Sequence, residues 1–107
     1  MEVASQTVFN INSEEELENL LNMLTKFGVN YLYSCKQREL LIGGKLLVYE
    51  DGYISLVYDD LDITVYRNTG SVTIKLYNRQ NWQDEEITIP VPAKKVYYIK
   101  PYLRIRF

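Results

Sequence analysis

The chain has 107 residues, 47% of them hydrophobic and 24% charged, and a net charge of −2. That size and balance suit one domain, residues 1–107, with a single core, and exclude a disordered chain. The small net charge excludes a global pull towards nucleic acid or anionic membrane, and the short apolar runs fall far below the roughly 20 residues of a bilayer span.

Residues 1–11 carry no basic segment and no apolar stretch of the kind a secretory signal needs. Cys35 has no second cysteine to pair with, so an internal disulfide is excluded. Both features lead to an expected intracellular, cytoplasmic location.

In chain order, Thr7 to Ile11 reads as a first strand. Asn12-Ser13 then opens a helix, with Ser13 and Glu16 spaced as a capping box and Glu14, Glu15 and Glu16 at the positive end of its dipole. Leu17, Leu20, Leu21, Leu24 and Phe27 follow helical spacing and define one apolar stripe, and Gly28 supplies the stop.

Alternation takes over from Val29, with Val29, Tyr31, Tyr33 and Cys35 on one face. Gly43-Gly44 lies between two strand-like runs and fits a two-residue hairpin turn, as Asp51-Gly52 does further on. Ile63 and Val65, then Val72, Ile74 and Leu76, give the cleanest alternating set. A polar loop from Asn78 to Glu85 precedes Ile87, Ile89 and Val91, where Pro90 and Pro92 mark a strand edge or end. Val96 to Ile99 and Leu103 to Phe107 close the chain.

These elements predict an α+β fold, one N-terminal helix packed on a curved, mainly antiparallel meander sheet of about six to eight strands. That element order resembles cystatin-like and hot-dog-like folds. The resemblance covers the outline only: the chain lacks the Gln-Val-Gly inhibitory loop of cystatins and matches no thioesterase residues, so no site residue is carried over.

Catalytic chemistry finds little support. There is no histidine, the usual general base, and Cys35 falls on an alternating strand where a buried, inert thiol is the ordinary case. Asp59, Asp60 and Asp62, Glu50-Asp51, and Asp84-Glu85-Glu86 do not follow a calcium-loop spacing and read as solvated turns. No catalytic residue, metal or cofactor is expected.

Two binding readings remain. Alternation turns Tyr66, Lys75, Tyr77, Tyr102, Arg104 and Arg106 outward, and aromatic and basic residues interleaved on a sheet can stack bases and pair phosphates. The same residues also suit any solvent-facing strand. Trp82, with Arg79 and Asn81 beside it, sits in the polar loop as either a lid on the core or an anchor for a partner.

The favoured expectation is a small non-enzymatic protein-interaction module of inhibitor or adaptor type, in size and composition like accessory proteins of viruses and mobile elements. Its partner would be another protein, met through the Trp82 loop, or a second copy joined as a homodimer through an edge strand such as Leu103 to Phe107. The alternative is a nucleic-acid-binding module using the Tyr/Lys/Arg face.

Overall fold

The apolar stripe of the helix and the alternating strands close around one core, as seen in a computed structural model of the chain. It describes the backbone of residues 2–107 and the side chains from Glu14 onward. The helix α1 runs Glu2–Lys26, so the segment read as a strand, Thr7 to Ile11, is helical, and Ser13 lies inside the helix instead of capping it. The physical reason is modest cost: no proline or glycine interrupts residues 2–26. Asn and Ser inside a helix each cost no more than about 0.7 kcal/mol relative to alanine.

The C-terminal end of the helix forms as its sequence predicts. Gly28 takes the left-handed conformation at φ 74. Its N–H donates to Thr25 O at 3.1 Å and that of Val29 to Leu24 O at 2.9 Å, the paired bonds of a Schellman stop. Leu17, Leu20 and Leu24 are buried, with Leu21 and Phe27 packed against the core and Met23 joining it.

Nine strands follow among the described residues, all paired antiparallel in two sheets. One sheet contains β1 (Tyr31–Ser34), β2 (Glu39–Gly43), β8 (Lys95–Ile99) and β9 (Tyr102–Arg106) in the order β1-β2-β9-β8. The other is a meander of β3 (Lys45–Glu50), β4 (Tyr53–Tyr58), β5 (Leu61–Arg67), β6 (Val72–Asn78) and β7 (Asp84–Ile89). The helix-plus-antiparallel-sheet class is therefore the expected one, with the strands shared between two sheets.

The inner faces of both sheets meet in one core. Leu40, Ile42, Leu103 and Ile105 from the first and Leu56, Ile63, Val65, Ile74 and Leu76 from the second are fully buried. Each such side chain contributes about 1.5–3 kcal/mol of burial. The helix buries its leucine stripe in this core and packs along the edge strand β7, where Lys26 Nζ meets Glu85 Oε1 at 2.5 Å, and it reaches the other sheet through Thr25 Oγ1 and Tyr31 Oη, 2.7 Å apart. On the opposite side, the edges of β3 and β8 are joined by tyrosine hydroxyls. Tyr49 Oη donates to Val96 O at 2.8 Å and Tyr98 Oη to Gly44 O at 2.7 Å.

Gly43-Gly44 is not a hairpin turn. β2 pairs with β1 and β9, and β3 pairs with β4, so the two glycines carry the chain from one sheet to the other. Space explains them: a Cβ on Gly43 would lie 2.7 Å from Asn30 Nδ2, and one on Gly44 3.2 Å from Val57 O. Their N–H groups donate to Asn30 O and Pro101 O.

Two further expectations change. Leu103 to Phe107 is not an edge, because β9 lies between β2 and β8 with both sides paired. Cys35 is exposed, in the turn after β1, and is not a buried thiol. β7, in contrast, is an edge strand ending at Ile89, just before Pro90, as its prolines indicate. No helix among the described residues is long and apolar enough to cross a membrane.

Candidate functional site

The turns of the five-stranded meander fall alternately at its two ends. Asp59-Asp60, between β4 and β5, and the loop between β6 and β7 therefore share one end. That end also receives the Gly43-Gly44 corner and the turn between β8 and β9, since Gly44 N–H donates to Pro101 O.

The β6–β7 loop is closely held. Asn78 Oδ1 accepts from the N–H of Gln80 at 2.9 Å and, more weakly, of Asn81 at 3.4 Å. The Trp82 N–H donates to Asn78 O at 2.8 Å, and the Asn78 N–H to Gln83 O at the same distance. Asn81 Oδ1 accepts from Gln83 N–H at 3.0 Å. Arg79 fastens the loop to its neighbouring turn. Its N–H donates to Asp60 O at 2.9 Å, its guanidinium to Asp59 O, and its Nε lies 3.4 Å from Asp62 Oδ1.

Trp82 stands at the end of this braced loop, 78% exposed, with its backbone in the left-handed region at φ 60. The core-lid reading is therefore overturned. Arg79 and Asn81 share the loop and are exposed too, but their side chains shape and fix it, which leaves Trp82 as its exposed large apolar group. Asn78, the acceptor that organises the loop, was missed in the sequence. Its signal was available: an Asn side chain that accepts from the backbone N–H two residues on, here that of Gln80, is ordinary Asx-turn chemistry.

The Tyr/Lys/Arg residues are not brought together. Tyr66, Lys75 and Tyr77 lie on the five-stranded sheet, whereas Tyr102, Arg104 and Arg106 lie on the four-stranded one. Both inner faces enclose the same core, so the two outer faces look away from each other. On the first, Lys75 pairs across from Glu86, and Tyr77 stands between Asp62 and Asp84 in the sheet register. Tyr66 packs edge-to-face on Tyr53, ring centres 5.3 Å apart.

On the second, Arg104 is already engaged. Its Nη1 donates to Tyr97 Oη at 2.5 Å, and its Nε lies 3.0 Å from Glu39 Oε1 without meeting hydrogen-bond geometry. The hydrogen bond to the Tyr97 hydroxyl holds the guanidinium pKa above its usual value against the opposing effect of burial, with a smaller contribution from the Glu39 charge. Lys95 stacks over the Tyr97 ring at 4.8 Å. Tyr33, facing the helix side, has its hydroxyl pKa raised mainly by burial.

A groove of about 480 Å³ opens on the Trp82 end, lined by Asn30, Gly43-Gly44, Lys45, Val57 to Asp59, Tyr98, Lys100 and Pro101. Its lining comes from separate turns and strand ends, which is why no local sequence pattern revealed it. Among the described residues, no group of three or more acidic or cysteine side chains is placed to hold a metal ion. Leu32, Leu47 and Ile99 add exposed apolar surface on the edge strands β1, β3 and β8.

Comparison with known proteins found no match to a family model, to a curated protein or to a solved structure.

Proposed function

We propose that this chain is a small non-enzymatic protein-interaction module, of inhibitor or adaptor type, that engages a protein partner with Trp82 as its anchor. One observation carries the reading: the chain's single tryptophan is 78% exposed on a loop that hydrogen bonds hold in place. Exposing an indole in water gains nothing for folding, and a left-handed backbone costs a non-glycine residue about 1–2 kcal/mol. Strain kept at an exposed aromatic points to use at that position. Tryptophan is also the residue type most enriched among binding hot spots, and a pre-ordered loop loses little entropy on docking.

That Tyr66, Lys75 and Tyr77 lie on one sheet and Tyr102, Arg104 and Arg106 on the other supports this reading over a nucleic-acid face built from all six.

The test is a comparative capture from nuclease-treated lysate, with wild type and Trp82→Ala as matched baits. The expected result is a protein retained by the wild type and lost by the variant. Retention of the same proteins by both baits removes Trp82 as the anchor.

A further inference from the structure

The groove beside the Trp82 loop carries a charge and shape that describe its occupant. Lys45 and Lys100 stand at its rim, both exposed and neither in an ion pair among the described residues. Between them the wall is apolar and aromatic: Val57, Tyr58, Tyr98 and Pro101. Asp59 is the one acidic residue in the lining, and its carbonyl accepts from the Arg79 guanidinium, whose own charge is paired with Asp62. The lining thus sets two lysines against one aspartate, a local positive excess on a chain of net charge −2.

The glycine corner contributes the opening. Gly43 and Gly44 add no side chain to the wall, and the close approach of Asn30 and Val57 leaves none room. The corner's backbone groups are satisfied internally, with Gly44 bonded through both its N–H and its C=O. Recognition there falls to the lysines and the rings. A volume of about 480 Å³ is within the range of roughly 300–1,000 Å³ usual for ligand clefts.

We infer that this groove receives an acidic peptide segment of the partner, an apolar side chain lying against Tyr58, Tyr98 and Pro101 with flanking carboxylates on Lys45 and Lys100. The inference rests on the protein-interaction reading and names the chemistry of the segment bound. Opposite charge steers the segment in and fixes its direction, and burial of its apolar side chain supplies the attraction that salt does not screen.

The test needs no identified partner. The full chain, labelled with 15N, is titrated with the peptide amide acetyl-Glu-Leu-Glu-Phe-Glu and with its counterpart acetyl-Lys-Leu-Lys-Phe-Lys, and amide shifts are followed. The acidic peptide is expected to move Gly43, Gly44, Tyr58, Asp59 and Tyr102 saturably, and the basic peptide is not. Reversing both rim charges, Lys45→Glu with Lys100→Glu, should weaken the acidic peptide at least about tenfold, whereas the charge-matched control Lys36→Glu with Lys94→Glu, two exposed lysines outside the groove, should leave it within about twofold. Absence of saturable shifts at the groove, equal shifts with both peptides, or an unchanged affinity in the double variant overturns the inference. So does phenylacetate binding there as tightly as the peptide, which would make it a small-molecule site. Concentration-dependent shifts of the same amides without peptide would identify a second copy as the occupant and also overturn it. Because the two wild-type titrations decide the charge preference alone, the result does not depend on how the variants fold. If the groove fails while Trp82→Ala still loses its captured protein, the anchor reading stands without the groove.

Discussion

Three hairpin connections of the five-stranded sheet hold a residue in the left-handed region, Gly52, Asp59 and Trp82, and the first and last of them, at opposite ends, fill it with opposite chemistry. The β3–β4 turn uses Gly52 at φ 80, the residue for which this conformation has no steric cost. The β6–β7 loop uses Trp82 at φ 60, a bulky residue left 78% exposed. The turn geometry explains the glycine completely. It does not explain the tryptophan, which the loop would form more easily without. A residue that local folding disfavours and the core does not recruit is best understood by what lies outside the chain.

The largest expected effect concerns that outside contact. Trp82→Ala should weaken partner binding by about 2 kcal/mol or more, roughly thirtyfold, measured by calorimetry once the captured protein is purified. The same substitution should leave the urea unfolding midpoint nearly unchanged, within about 0.5 kcal/mol, because little of the indole is buried. A large loss of stability would show the ring packing on the protein itself and would break the contrast with Gly52.

Next in size is the converse substitution at the other end. Gly52→Ala should destabilise by about 1–2 kcal/mol, since an L side chain there meets the left-handed penalty. Among the described residues, the nearby atom for the new Cβ is Arg67 O at 3.4 Å, an ordinary contact, so the loss measures conformation and not crowding. Trp82→Gly completes the exchange with the opposite sign. It should stabilise the chain by about 1 kcal/mol while abolishing the anchor. Asn78→Ala should then cost about 1 kcal/mol by removing the acceptor for Gln80 and Asn81 N–H, and should soften the loop that presents Trp82.

The same comparison shows what a sequence can reveal. Asp51-Gly52 was legible because glycine is the chemical demand of the turn, and the alternation of Val72, Ile74 and Leu76 was legible because one face of a strand must be buried. Gly28 and the leucine stripe of the helix were legible for similar reasons, each set by local geometry. The corner at Gly43-Gly44 was not. A double glycine between two strands spells a hairpin or a sheet crossing equally well, and the choice depends on distant residues such as Asn30, Val57 and Pro101. Reading it as a hairpin hides the second sheet, and with it the interior position of β9 and the separation of Tyr66 from Arg104. The helix start failed because Asn12-Ser13 is a cap only where a helix begins, and a helix crosses such a pair at small cost. Trp82 had no phase to read: its neighbours are all polar, so periodicity could not assign it inward or outward. The groove combines residues from Asn30 to Pro101, a juxtaposition that only the folded chain creates.

The smallest effect separates glycine as a residue from the left-handed conformation it serves. Gly70 lies in the loop between β5 and β6, at the same end as Gly52, and its φ is not in the left-handed region. A Cβ added there meets nothing within 4 Å. Gly70→Ala is therefore free of both strain and clash in the folded state, and it restricts the unfolded chain. Such substitutions stabilise by about 0.4–1 kcal/mol when the native backbone accepts them. The expected shift for Gly70→Ala is at the lower end, a small gain in the urea midpoint, opposite in sign to Gly52→Ala at the same end of the sheet. Equal losses at the two positions would mean that these loops require glycine for mobility or for solvation of the backbone. The left-handed residue at position 82 would then no longer count as strain retained for binding. Opposite signs tie the penalty to φ itself, and so to the strain that Trp82 tolerates at the other end.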